Sequence, residues 1–216
     1  MITLSKGNVN RNLVFLEKYS IIIQRARPAS AQICRARQKG HAAMKNQTDY
    51  ILLCQQLEAL TEGERDTIAN LANASAAFHM NLSDINWVGF YLAREGQLIL
   101  GPFQGRPACV RIAFGKGVCG TAAATGETKL VANVHEFAGH IACDAASNSE
   151  IVVPIRHAGK LVALLDIDSP SFGRFTQDDR EGLERCAALL GEACDWAVGG
   201  AAAFRRPATD PAAEKP

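Results

Sequence analysis

The chain has 216 residues, 48% of them hydrophobic and 21% charged, enough for one ordinary domain with extensions and a real core. Its net charge of +1 hides an asymmetry: residues 1–43 carry +7, leaving −6 elsewhere, and a mildly acidic globular part argues against nucleic-acid binding there. No run of 18 apolar residues spans a membrane, no apolar signal region marks secretion, and seven cysteines without a Cys-x-x-Cys pair suit a reducing compartment, by default the cytosol.

Residues 1–43 hold eight Lys and Arg against Glu17 alone. They read as a basic leader, disordered or a non-native extension upstream of a natural start at Met44. A transit peptide, also Arg-rich and acid-poor, is the alternative. Thr48 or Asp49 then caps a helix carrying Ile51, Leu52, Leu57 and Leu60. Thr61-Glu-Gly-Glu64 has the form of a capping box for a second helix with Ile68, Leu71, Ala72 and Ala76 inside. Asn86–Leu92 is rich in strand formers. Its alternation puts Val88, Phe90 and Leu92 on a core face and Trp87, Gly89 and Tyr91 on the other. The aromatics there either line a pocket, with a glycine gap between them, or simply cover the sheet. Gln97–Gly101 makes a hairpin partner and Ala108–Ile112 a third strand.

A short helix is expected to begin near Gly117. The surrounding glycines do not match a phosphate-binding loop, though a helix start would lower the pKa of Cys119 somewhat. After Lys129–Val131, residues 132–149 show neither helical nor alternating periodicity, and a structureless stretch of that length is usually a functional loop. It holds His135, His140, Cys143 and Asp144. Two strands follow, Glu150–Arg156 and Lys160–Asp168, around His157-Ala158-Gly159. A three-residue loop pairs Arg156 with Lys160 and sets Glu150 opposite Asp166, with Asp168 on the same face. A two-residue loop would turn Glu150 to the other face. The first register leaves Ile151, Val153, Ile155, Leu161, Ala163, Leu165 and Ile167 as an all-apolar core face. The last helix, Thr176 to Val198, packs Leu183, Ala187, Leu190 and Ala197, with Cys186 and Cys194 as inert buried thiols. Residues 200–216 form an Ala/Pro-rich flexible tail.

Three carboxylates on one sheet face beside a cysteine-bearing loop repel one another, so at least one pKa should rise. The plain alternative is a solvated face. A metal site from His135, His140, Cys143 and Asp144 is also open, but His-x4-His-x2-Cys is weak zinc spacing.

The element order, an α+β domain with a central antiparallel sheet flanked by helices, suggests a single GAF-like fold over residues 44–199. Asn86-Trp-Val-Gly-Phe-Tyr, Gly101-Pro-Phe-Gln-Gly, Pro107-Ala-Cys-Val-Arg-Ile, Gly115-Lys-Gly-Val-Cys-Gly-Thr-Ala, Gly139-His-Ile-Ala-Cys-Asp, Ser147-Asn-Ser-Glu-Ile-Val-Val-Pro and Leu165-Asp-Ile-Asp-Ser-Pro together resemble the free methionine-(R)-sulfoxide reductases. The resemblance runs from about Gln47 to Ala197. It implies reduction of the free amino acid sulfoxide, with Cys143 as nucleophile, Cys109 as principal resolving thiol and Cys119 as a second nearby thiol. It implies Glu150, Asp166 and Asp168 as substrate-binding acids, Trp87 and Tyr91 as pocket aromatics, and thioredoxin as reductant. Dimers are common in the family, and neither a metal nor a resident cofactor is implied. Ala138 departs from the family, which has proline before Gly-His. A non-catalytic GAF sensor of a small ligand is the rival reading, disfavoured by an acidic ligand face hostile to phosphate.

Overall fold

A computed structural model describes residues 48–137, 139 and 146–196. The leader, the tail, Ala138, His140, Cys143, Asp144 and the end of the last predicted helix, Ala197 included, lie outside the described residues. Helices α1 (Tyr50–Thr61) and α2 (Thr67–Asn81) precede strands β1 (Trp87–Arg94), β2 (Gln97–Gln104) and β3 (Arg111–Ala113). Helix α3 (Gly117–Thr125) and strand β4 (Lys129–Val131) follow, then a 3-10 turn (Val134–Glu136), strands β5 (Ser149–His157) and β6 (Lys160–Ser169), and helix α4 (Gln177–Ala193). The six strands form one antiparallel sheet in the order β3-β2-β1-β6-β5-β4. This is the expected α+β arrangement.

The sheet divides the interior in two. On one side Val88, Phe90, Leu92, Ile151, Val153, Ile155, Ala163, Leu165 and Ile167 meet the apolar faces of α1, α2 and α4. On the other, Trp87, Tyr91, Val152 and Leu164 pack with Val118, Cys119 and Ala122 of α3. The alternation read from β1 therefore holds.

Several local expectations are corrected. Asp49 caps α1 as expected, accepting from Leu52 N at 3.0 Å, but Ile51 is exposed and the inner row is Tyr50, Leu53, Leu57 and Leu60. The capping box at Thr61 does not form. Thr61 closes α1 by donating to Leu57 O, and Gly63 at φ 79° delays the next helix. Asp66 caps α2 instead, accepting from Ala69 N. The buried stripe of α2 is Leu71, Ala74, Ser75, Ala77 and Phe78. Ile68 and Ala72 are exposed and Ala76 is half-buried, because Leu71 and Phe78, both fully buried and on one face at i, i+7 spacing, fix the phase. Ladder pairing in the third strand begins only at Arg111, so Cys109 precedes the strand. The Arg106 and Cys109 carbonyls instead accept from Trp87 Nε1 and Tyr91 OH, each at 3.0 Å.

The β5–β6 hairpin has a two-residue turn, with Ala158 and Gly159 at φ 48° and 77° and His157 paired with Lys160. Alone this would send Glu150 to the wrong face. However, Arg156 pairs with Leu161 and Ile155 with Ala163, so Val162 is an extra residue, and this bulge restores the parity. Glu150 thus faces Asp168 rather than Asp166. Leu161, beyond the bulge, turns to the α3 side.

Helix α4 opens with a capping box between Thr176 and Asp179. It ends at Ala193 as Arg65 donates to Glu192 O at 2.6 Å. Tyr50 donates to Asp179 Oδ1 at 2.7 Å, and its ring lies where a Cβ on Gly182 would stand. Gly182→Ala should therefore lower stability by about 1–3 kcal/mol, read as a fall in Tm. An unchanged Tm would show that α1 and α4 do not depend on this close approach.

Candidate active site

On the α3 side of the sheet, four strands place side chains in register. Val131 pairs with Glu150, Glu150 with Asp168, and Asp168 with Trp87; one step along, Asp166 pairs with Gly89. Alternation makes Glu150, Asp166, Asp168, Trp87 and Tyr91 share one face. Glu150 and Asp166 are buried and Asp168 is half-buried. The solvated-face alternative is therefore overturned for the first two.

Helix α3 sets its first turn against this row. Lys116 makes no side-chain cap, and Cys119 Sγ donates to Glu150 Oε1 at 3.9 Å. One donor atom each from Cys119, Glu150 and Asp166 falls within a 4.8 Å span. Burial pushes Glu150 well above the usual carboxylate range, and the charges of Asp166 and Asp168 push it further. Burial also raises Asp166, to about 6, against the lowering effect of hydrogen bonds from Cys119, Glu150 and the Ile167 backbone. The coupled pair thus holds a proton near neutrality, with Glu150 as its acid member. The Cys119 expectation is reversed: burial first, then the charges of Asp166 and Glu150, raise its pKa well above the thiol range. A helix N-terminus is too weak an influence against two carboxyls in a dry site.

The aromatic wall differs from the expected open gap. Phe103 stacks on Trp87, with centroids 5.4 Å apart, and Trp87 stacks on Tyr91 at 6.1 Å. Gly89 admits Phe103, since a Cβ there would strike both it and Trp87. Both predicted aromatics are buried, and their polar tips hold the segment bearing Cys109 over the α3-side core.

The cysteine loop leaves from a firmly held base. Asn148 is its hub: its N–H donates to Ser169 O at 2.8 Å, its Nδ2 to Pro170 O at 2.7 Å, and its carbonyl accepts from Val134 N. His135 Nε2 lies 2.9 Å from Asn148 Oδ1, a contact that occupies one of its two ring nitrogens. Asn86 Nδ2 donates to Ser147 Oγ at 3.0 Å. Neither Asn148 nor Phe103 was singled out from the sequence, since no periodicity or motif chemistry marks a residue whose partners are distant backbone carbonyls or an aromatic face.

Asp166 Oδ1 is buried without a hydrogen-bond partner. Such an atom is costly unless a donor arrives. A substrate ammonium or a metal cation would satisfy it, and Cys119, Glu150 and Asp166 form the only cluster among the described residues spaced to hold a metal ion.

The GAF domain model matches residues 53–194. Protein YtsP of Bacillus subtilis is 59% identical over 67% of this chain and 90% of its own length. The free methionine-R-sulfoxide reductase of Escherichia coli is 52% identical over 67% and 88%. The structure of fRMsr of Staphylococcus aureus in complex with substrate is 52% identical with a TM-score of 0.67, over 70% of this chain and 99% of that one. The chain belongs to the free methionine-(R)-sulfoxide reductases. It is an oxidoreductase built on a GAF domain.

The raised carboxyls fix a sign for stability. An acid whose folded pKa exceeds its unfolded value stabilises while protonated, and that contribution is lost as pH rises through the shifted range. For Asp166 the window runs from about 4 to about 6. Asp166→Asn should raise Tm at pH 7 and leave it nearly unchanged at pH 4; a variant less stable than wild type at pH 7 would contradict the burial argument.

Proposed function

We propose that this chain reduces free L-methionine-(R)-sulfoxide to methionine with Cys143 as nucleophile. The observation that carries this reading is the buried Glu150–Asp166 pair, with its unpartnered oxygen beside Asp168. The substrate ammonium donates to these acids by charge-assisted hydrogen bonds. A methionine sulfoxide inside a polypeptide has no free amine to offer, so selectivity for the free amino acid follows. Trp87 and Tyr91 wall the apolar side chain.

In the chemical step the Cys143 thiolate attacks the sulfoxide sulfur, and Glu150, kept protonated by burial and its neighbours, gives its proton to the sulfoxide oxygen. The protonated oxygen then shifts from the methionine sulfur to the Cys143 sulfur as the transient sulfur–sulfur bond breaks, so methionine leaves and Cys143 is left as a sulfenic acid. Cys109 then attacks that sulfur, forming a disulfide and releasing water. Thioredoxin, as external dithiol, restores both thiols by exchange. Cys119, whose raised pKa keeps it protonated, is a poor nucleophile in the resting site and serves as a reserve resolving thiol. The catalytic unit is residues 44–199, and it works without a metal or resident cofactor.

Methionine formation should be seen with the free R epimer and not with the S epimer or with the peptide-bound sulfoxide, and Cys143→Ser should reduce it to background. Equal turnover of the peptide-bound form would defeat the ammonium argument. Cys109→Ala should release about one methionine per enzyme and then stall with thioredoxin. Unchanged multiple turnover would transfer the resolving role to Cys119.

A further inference from the structure

Across the sheet from the carboxyl pair, a second pair of sulfurs meets. Cys54 Sγ and Cys186 Sγ are 3.3 Å apart, within S–H···S hydrogen-bonding reach. Cys54 is partly exposed and Cys186 buried. The sequence reading of Cys186 as an inert thiol omitted this neighbour, 132 positions away in the chain.

The contact is held from both ends. One turn before it on each helix, the Tyr50 ring sits against Gly182, and Tyr50 donates to Asp179 at 2.7 Å. Beyond it, Arg65 donates to Glu192 O at 2.6 Å. Tyr50 to Cys54 and Gly182 to Cys186 are each four residues, so α1 and α4 run side by side in parallel register and the sulfurs fall at matching heights. Bonding requires an approach of little more than about 1 Å, since a disulfide spans about 2.05 Å.

We propose that Cys54 and Cys186 are a disulfide-forming site, separate from the catalytic thiols, that clamps α1 to α4 when the protein meets a peroxide. The partly exposed Cys54 thiolate attacks a peroxide oxygen; the O–O bond breaks, water leaves after protonation, and Cys54 becomes a sulfenic acid. The Cys186 sulfur attacks Cys54 Sγ, the S–S bond forms, and the hydroxyl departs as water with the Cys186 proton. Two thiols and one peroxide give one disulfide and two waters. A dithiol reductant reopens the bond by exchange. The cross-link closes a loop spanning nearly the whole domain, and such loops restrict the unfolded chain most.

Because the clamp lies on the opposite side of the sheet, it does not depend on the functional assignment above. Treat the full chain with stoichiometric hydrogen peroxide, alkylate the remaining thiols, and map all seven cysteines by mass spectrometry without reduction. A Cys54–Cys186 cross-linked peptide is expected, with a rise in Tm of about 5–10 °C that dithiothreitol reverses. Cys143→Ser should keep both signals. Cys54→Ser should lose both yet retain wild-type sulfoxide reduction. Alkylation of both Cys54 and Cys186 after peroxide, over-oxidation of Cys54 with Cys186 still free, or a cross-link that leaves Tm unmoved would each overturn the clamp.

Discussion

The α3 side of the sheet is organised around two carboxyls denied water. Glu150 and Asp166 stand on adjacent antiparallel strands, buried beside a thiol that can give only a long hydrogen bond. Two ionised acids in that space would repel strongly, so the pair keeps a proton. Everything around it serves that condition. Helix α3 seals the site with Val118, Cys119 and Ala122; Trp87, Phe103 and Tyr91 close the flank. The result is an acid held neutral near physiological pH, next to an oxygen that lacks a donor.

The sheet separates this chemistry from the interactions that stabilise the domain. The helical side carries the larger apolar core and the α1–α4 contact, where Tyr50, Gly182, Cys54 and Cys186 interlock. The α3 side carries the strained electrostatics. Burying carboxyls costs stability, and the larger core on the other face offsets that cost without sharing residues with the site. Loop attachment follows the same economy. Asn148 and Asn86 tie the base of the cysteine loop to the end of β6 and to the start of β1, so the segment springs from the rim of the carboxyl row.

Much of this was legible in the residues. Strand alternation assigned both faces of β1 and placed three acids together. The starts of α3 and α4 were also readable to within a residue, because glycine and capping side chains act locally. Errors came where a choice depended on distant partners. The hairpin register was right in parity for the wrong reason: a shorter turn plus a bulge at Val162 replaced a longer turn. The phase of α2 was set by Leu71 and Phe78 rather than by Ile68. Cys109 left the strand because Tyr91 and Trp87 claim the carbonyls around it.

The sequence by itself determined the fold class, the family, and which residue types could carry a thiol-and-carboxyl reaction, since these follow from periodicity, turn chemistry and ordered motifs. Only the tertiary structure decided that Glu150 and Asp166 are dry, that Cys119 is a protonated thiol, and that Cys54 meets Cys186. The reason is physical. Periodicity says which face a residue joins, but desolvation and sulfur–sulfur contact depend on what covers that face, and the covering groups come from remote parts of the chain.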